Sequence, residues 1–404
     1  MIASGCRAVS ALLALAASAL AVAPAAGAQA PPDLSNAAAA ILVDAEDGAV
    51  LVAKDPRERR SMASTTKLMT ALLALERARP GERFTAPRYD ALPVESKIDL
   101  RAGERMAVAD LVEALLLESA NDAAVTLAEG VSGSREAFVA EMNERARALD
   151  LDDTSYANPI GLDDPLNYST AADLAELAAL LLSRPRFARV VDMPSAVLAT
   201  GARRRIVANR NNLVVDHPFV DGVKTGFTAQ AGNVLVGSAS GNGAQVVSVV
   251  MGEPTESQRD ADTLALLRYG LAQFERRRVL DEGRTVASAA IEHRDERALL
   301  VPATGLNVTV RRGQRVRSVV EAPEELEGPL DAGERVGFVS VYRGDRLVRR
   351  VPLLTAAEVP SAGVLRVVFS VLGVPLTLLV VALGIFIVAA RRTRAARRRS
   401  TRAR

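Results

Sequence analysis

Serine, lysine and asparagine recur in this chain in a pattern suited to attack on an acyl group. Ser64 and Lys67 stand three residues apart in Ala63-Ser64-Thr65-Thr66-Lys67, Asn121 follows Ser119 by two positions, and Lys224 opens Lys224-Thr225-Gly226. A serine hydroxyl becomes a nucleophile when a base takes its proton. Lysine can be that base where burial and crowding lower its pKa. On a helix, residues three apart share a face, which would set the Lys67 amine beside the Ser64 hydroxyl. Each motif also has an ordinary structural reading: a helix-opening serine with a solvated lysine, a pair of helix caps at Ser119 and Asn121, and a hairpin turn at Lys224. Composition favours chemistry. Of 50 basic residues only Lys54, Lys67, Lys97 and Lys224 are lysine, leaving 46 arginines. Arginine does not release its proton near neutral pH whereas a crowded lysine does, and two of the four lysines fall in these motifs.

The elements that must hold these groups are legible in outline. Leu68, Met69, Ala71, Leu72, Leu73 and Leu75 predict a buried helix behind Ser64. Ala39 to Leu42 and Val50 to Val52 read as strands joined by a turn at Asp44–Gly48, and residues 76–106 as polar surface loops. A helical pattern from Val108 runs into Glu118, and another covers Ala123 to Ala128 with Gly130 as its expected C-cap. Ser119 and Asn121 lie between the two, where short polar side chains can project into a cleft. Residues 135–149 and 170–183 read as helices, Asn158–Leu162 as a turn-rich link, and the Asp163-Asp164-Pro165 acids as turn formers rather than a base. Val220 to Thr228 reads as an exposed strand bordering a groove, with Gly226 permitting close approach of a ligand.

The formal net charge of +2 conceals an uneven distribution. Eight arginines crowd residues 391–404, and Arg7 and Arg366 flank apolar segments; without these ten, 40 basic residues face 48 acidic ones. The folded part is therefore acidic, which argues against nucleic acid as a partner. Residues 1–28 read as a secretory signal, with Arg7, an apolar run from Ala8 to Ala23 and Ala26-Gly27-Ala28 as the cleavage site. Cleavage there would remove Cys6, the single cysteine, and with it disulfide, thiol and thiolate-metal chemistry. With His217 and His293 the sole histidines, no metal is expected, and no cofactor. Val367 to Ala390 is uncharged and long enough to span a bilayer, and the basic tail 391–404 places that end in the cytoplasm. The expected arrangement is an exported, membrane-tethered protein.

Taken together, Ser64-x-x-Lys67, Ser119-x-Asn121 and Lys224-Thr225-Gly226 form the triple found in penicillin-binding proteins and class A β-lactamases. Ala63 to Thr70, Glu118 to Asp122, Asn209-Arg210-Asn211 and Asp221 to Thr228 resemble the low-molecular-mass penicillin-binding proteins of the D-alanyl-D-alanine carboxypeptidase family. The resemblance covers roughly residues 35–275 and extends more loosely to about 358. It implies a two-part α/β fold, an α+β arrangement in which a mainly antiparallel sheet is flanked by helices and the motifs line one cleft. It also implies roles. Ser64 would attack the bond between two terminal D-alanines of a peptidoglycan stem peptide, with Lys67 as base. Ser119 would relay a proton to the leaving amine, and Lys224 would hold the electrostatics. The backbone N–H groups of Ser64 and Phe227 would receive the oxyanion. Asn121 would orient the acyl side, Gly226 would admit the substrate backbone, and Thr225 would hold the terminal carboxylate with Arg210 and Arg259 as further candidates. β-Lactams would acylate the same serine. Some members carry His where this chain has Phe227, and many end in a helix lying on the membrane rather than a full span.

The expected division is a signal at 1–28, a catalytic domain at 29–275, a β-rich stalk domain at 285–360, a span at 367–390 and the tail. In the β-rich part, Leu306 to Val310, Val316 to Val320, Val336 to Tyr342 and Leu347 to Leu353 alternate as strands, and Arg343-Gly344-Asp345 reads as a hairpin turn. Three other functions use overlapping residues: a DD-endopeptidase or transpeptidase, a class A-like β-lactamase, and a non-catalytic cell-wall-binding protein. The last has no need of a nucleophile with its base.

Overall fold

The computed structural model describes residues 30–363, together with 367, 373, 376 and 378–392. The expected signal at 1–28, residues 368–372, 374, 375 and 377 of the expected span at 367–390, and the tail from 393 lie outside the described residues. Residues 378–392 are helical. Among the described residues no helix is long and apolar enough to cross a membrane.

A five-stranded antiparallel sheet organises the larger part, in the spatial order Val50–Lys54, Ala39–Asp44, Ala244–Glu253, Gly232–Gly241, Val220–Thr228. Side chains alternate across a strand, and here both faces are covered. Ala39, Ile41 and Val43 enter the main core with Leu68, Leu72, Leu115 and Leu177 from the helical side. Ala40 and Leu42 enter a second core against Leu266 and Leu267. Those two leucines belong to Glu256–Ala272, a helix of 17 residues, which the apolar pattern of the sequence does not single out. Val220–Thr228 is the sheet's edge, so one line of its backbone groups faces away from the ladder.

The helices follow the predicted pattern with one instructive change. Helix Asn121–Ser132 runs through Gly130 and is capped by Gly133 at φ +80°. Gly130 serves packing instead: a Cβ there would lie 2.2 Å from the Phe84 ring. Thr170 caps Ala171–Leu182 by accepting from the Asp173 N–H at 3.1 Å, as its sequence suggests.

Beyond the helix, a six-stranded sheet has its own core of Leu300, Val339, Val341 and Leu353. All four strands expected in the β-rich part form there or in the adjoining pair Phe274–Leu280 with Leu306–Arg311. Arg343, in the expected hairpin, is held by Glu46 at 2.5 Å, and Arg311 by Asp47 at 2.7 Å. The turn joining the first two strands thus docks on the β-rich part.

One buried ion pair braces the wall beside the cleft. The hairpin Ser195–Leu198 with Arg205–Ala208 presents Arg205 to Glu104 through bonds of 2.7 and 3.0 Å, with a third from Nε to the Ile98 carbonyl at 2.8 Å. Those bonds, chiefly from Arg205, hold the Glu104 carboxyl at about 2, well below its ordinary 4.5. A depressed acid stabilises the fold above its unfolded pKa and loses that contribution as pH falls toward the folded one. Arg205→Met leaves the buried carboxylate without its cation, with only the Ala202 and Arg101 N–H groups as donors, and is expected to cost about 3–5 kcal/mol near neutrality. Urea denaturation should also show that the variant lacks the wild type's loss of stability between about pH 4.5 and 2 that this pair provides.

Candidate active site

Ser64 sits in a tight turn. Ala63–Thr66 is a 3₁₀ helix, and the α-helix Lys67–Arg77 follows it directly. Side chains three apart eclipse in 3₁₀ geometry, which places Lys67 Nζ 2.9 Å from Ser64 Oγ. Ala63 takes a left-handed φ of +48°, a conformation unusual for a residue with a Cβ. The edge strand presses on this turn: a Cβ on Gly226 would lie 3.0 Å from both the Ser64 nitrogen and Ala63 Cβ. Any larger residue at 226 would therefore crowd the turn that carries Ser64.

Lys67 is fully buried. Its second partner is the Ile160 carbonyl at 2.5 Å, supplied by the link predicted to be only a turn. Asn158 shapes that link by accepting from the N–H groups of Ile160, Gly161 and Leu162 at 3.3, 2.7 and 3.1 Å. The neighbouring Pro159 carbonyl accepts from Thr70 at 2.7 Å, fastening the link to the serine's helix. Burial lowers the Lys67 pKa far below its ordinary value, and the positive charge of Lys224 lowers it further. Both effects act against the ammonium form and toward the neutral amine, whose lone pair can accept a proton.

Ser119 closes a π-helical turn, Ala114–Glu118, and adopts φ +62°. An extra residue in a helical turn re-aims the side chains that follow. Helix Asn121–Ser132 starts immediately after, with Ala120 at its N-cap and no side-chain cap. Ser119 ends the π turn through its backbone N–H, which donates to the Ala114 carbonyl, and neither side chain of the motif caps the helix that follows. Asn121 Nδ2 instead donates to Glu95 at 2.6 Å, and its backbone N–H donates to the Ser96 carbonyl at 2.8 Å.

Lys224 lies on the edge strand Val220–Thr228, buried, and donates to the Thr225 carbonyl at 2.9 Å. Burial, then the charges of Arg210 and Arg259, bring its pKa down to about 7. Ser64, Ser119, Thr225, Gly226 and Phe227 line one cavity of about 720 Å³, with Arg210 and Arg259 on its wall. The motifs do meet. Arg210 is paired with Glu118 at 2.6 Å, and its N–H donates to the Leu117 carbonyl, which ties this segment to the Ser119 turn. Arg259 has only 4% of its side chain exposed and is paired with Asp260 at 2.7 Å and Glu256 at 2.9 Å. Phe227 is 65% exposed and lines the same cavity. Asp164 accepts from the Leu166 N–H at 2.8 Å, as a turn-forming acid does, whereas Asp163 accepts from Thr228 Oγ1 at 2.6 Å and ties its loop to the edge strand.

A family model described as D-alanyl-D-alanine carboxypeptidase matches residues 25–255. The chain belongs to that family. A second model, penicillin-binding protein 5, C-terminal domain, matches residues 274–361. Among curated relatives, the D-alanyl-D-alanine carboxypeptidase DacF of Bacillus subtilis is 29% identical, covering 81% of this chain and 87% of its own length. DacA of Haemophilus influenzae, under the same description, is 31% identical over 83% of this chain and 88% of its own. The crystal structure of penicillin binding protein 5 from Haemophilus influenzae superposes with a TM-score of 0.59 at 30% identity, covering 82% of this chain and all of that one. A mutant of the Streptomyces K15 DD-transpeptidase matches with a TM-score of 0.57 at 27% identity, covering 60% of this chain and 99% of that one.

The carboxypeptidase-family motifs were legible from sequence; three contributors to this site were not. The Ile160 carbonyl carries no residue-type signal because any residue would present it. Asn158 could be seen only as a turn former. Glu95 belongs to a polar loop, and nothing in that loop's pattern distinguishes it from its neighbours.

Proposed function

We propose that this chain is a serine-type D-alanyl-D-alanine carboxypeptidase that removes the terminal D-alanine from peptidoglycan stem pentapeptides through an acyl-enzyme on Ser64. The observation that carries the reading is the contact of 2.9 Å between the Ser64 hydroxyl and a buried lysine whose pKa is drawn down by burial and by the charge of Lys224. Ser64 Oγ attacks the carbonyl carbon between the two D-alanines while its proton passes to Lys67. The oxygen that gains charge is received by the N–H groups of Ser64 and Phe227, and each such donor contributes about 10²–10³ in rate. The C–N bond then breaks, with Ser119 relaying a proton to the departing amine, and free D-alanine leaves. Water cleaves the remaining ester and restores the serine. A substrate laid along the edge strand finds Gly226 open to its backbone and Asn121 beside its acyl side. Its terminal carboxylate meets Thr225, Arg210 and Arg259. Bound there, it offsets the repulsion those arginines exert on Lys224 and returns that lysine toward its charged form. β-Lactams would form the same ester.

A second reading shares every residue. The match to a DD-transpeptidase favours an enzyme that passes the acyl group to an amine instead of water. We further read residues 1–28 as an export signal, 29–275 as the catalytic domain and 285–360 as a β-rich stalk. Residues 367–390 would anchor it in the cell membrane, with the tail 391–404 inside and the catalytic domain outside.

The test is to incubate the purified protein with a stem pentapeptide and analyse the products by mass. Free D-alanine and tetrapeptide are expected, and Ser64→Ala should yield neither. Transfer to an added amine without release of tetrapeptide would favour the second reading. Absence of both products and of penicillin labelling would leave a wall-binding protein.

A further inference from the structure

Glu95 lies in the loop between residues 89 and 98, alongside the reacting groups. Its Oε2 accepts from Asn121 Nδ2 at 2.6 Å and from the Tyr89 hydroxyl. Its Oε1 accepts from the Leu92 N–H at 2.9 Å. The loop itself is fixed to the Ser119 turn. The Ser96 carbonyl accepts from the Asn121 N–H at 2.8 Å, and buried Asp122 accepts from the N–H groups of Ile98 and Leu100 at 3.1 and 2.9 Å. Glu95 is thus held by three donors on a loop that cannot shift without disturbing the Ser119-x-Asn121 segment.

We propose that Glu95 is a positioning residue for the acyl transfer, fixing the orientation of the Asn121 amide and supplying the negative charge that faces Lys67 when it takes the Ser64 proton. The inference rests on the proposed roles of Ser64, Lys67 and Asn121. An ionised carboxylate only accepts hydrogen bonds, while a primary amide has one end that donates and one that accepts. Flipping Asn121 would set its oxygen against Oε2, so Glu95 dictates which end is the donor. One amide hydrogen is thereby committed to Glu95.

Charge is the second half of the role. Lys67 feels Lys224 and Arg210 as repulsion, and Glu95 as its attractive partner. Burial pushes the Glu95 carboxyl up, but the bonds from Tyr89, Asn121 and Leu92, with the Lys67 charge, outweigh it and hold it below its usual range. Arg135, stacked 5.7 Å from the Tyr89 ring centre, is the cation on the outer side. An acid so well supplied with donors is a poor proton acceptor, which favours a fixed charge over a base for the hydrolytic water. The placement also resolves a conflict: two lysines in one pocket make Lys67 a ready acceptor but a costly cation, and one carboxylate relieves the second condition.

Glu95→Gln keeps the shape and removes the charge. With a pentapeptide substrate, the acid limb of kcat/KM, which follows loss of the Lys67 proton, should move to lower pH by about one unit, because a nearby carboxylate favours the cation. KM should rise about tenfold through loss of a hydrogen bond to a charged group. In an Asn121→Ala background the substitution should no longer change KM, yet should still move the limb. A variant with the wild-type limb and KM would overturn the proposal. So would an acyl-enzyme that forms at the normal rate and then persists, which would make Glu95 the base of ester hydrolysis. Failure of the wild type itself to release D-alanine would instead overturn the proposed function. Thermal denaturation of the variants confirms that folded proteins are compared.

Discussion

Lys67→Arg is expected to reduce acylation by a fluorescent penicillin about 10³-fold or more, although it preserves the charge. General-base assistance contributes about 10²–10⁴ in rate, and a guanidinium with a pKa above about 12 cannot offer a lone pair at ordinary pH. The pocket is also built for a single small amine, with Ser64 Oγ and the Ile160 carbonyl at 2.9 and 2.5 Å as its partners. A guanidinium carries five N–H donors and finds two acceptors there. Lys67→Gln separates the two effects, because it removes the base without introducing a buried charge. Both variants should fail to be labelled, with Lys67→Gln closer to wild-type stability. Normal labelling of a folded Lys67→Arg protein would sink the proton-acceptor role. The composition foreshadows this result: a chain with 46 arginines has kept lysine at this position.

Gly161→Ala should impair both stability and rate. Gly161 takes φ +90°, and a Cβ there would lie 2.0 Å from the Ala63 carbonyl oxygen and 3.0 Å from Ser64 Cα. Backbone stands on both sides of the contact, so neither can yield as a flexible side chain would. Left-handed conformation costs about 1–2 kcal/mol for a residue with a Cβ, and an overpacked contact adds about 1–3 kcal/mol. The displacement acts directly on chemistry, since the Ile160 carbonyl next to Gly161 is the one that holds Lys67. A misplacement of about 1 Å costs roughly 10² in rate, so acylation should slow by about that factor. Gly81→Ala is the control, because an added Cβ there meets nothing within 4 Å. Penicillin labelling and urea denaturation of the pair should show a large change in the first variant and almost none in the second. Equal behaviour would mean that the Asn158–Leu162 link does not set the geometry of the serine.

How much of this was legible beforehand depends on where each signal lives. The strands at Ala39 and Val50, the helix behind Ser64 and the strands of the β-rich part follow from local periodicity, and they form within a few residues of the expected limits. Local signals failed where two segments compete. Gly130 looks like a helix stop from its neighbours, but Phe84, 46 positions earlier, needs the space, and the helix continues to Ser132. Ser119 and Asn121 look like caps by residue type. The π turn sets Ser119 on the cleft wall, and the Glu95 loop takes up the Asn121 amide.

The sequence by itself determined which reacting groups are present, their order and the acyl chemistry they suit, because nucleophilicity and proton affinity belong to residue types. It suggested that Gly226 leaves room for a ligand's backbone, whereas the contact of that glycine with the Ser64 turn came from the structure. Only the tertiary structure decided that Lys67 is buried against Ile160, that Lys224 is drawn down to about 7 and that Glu95 holds Asn121. Desolvation and electrostatic fields are sums over every segment that packs around a site. Here the loops at residues 95 and 160, the strand at 224 and the arginines at 210 and 259 contribute together, although no single stretch of chain contains them.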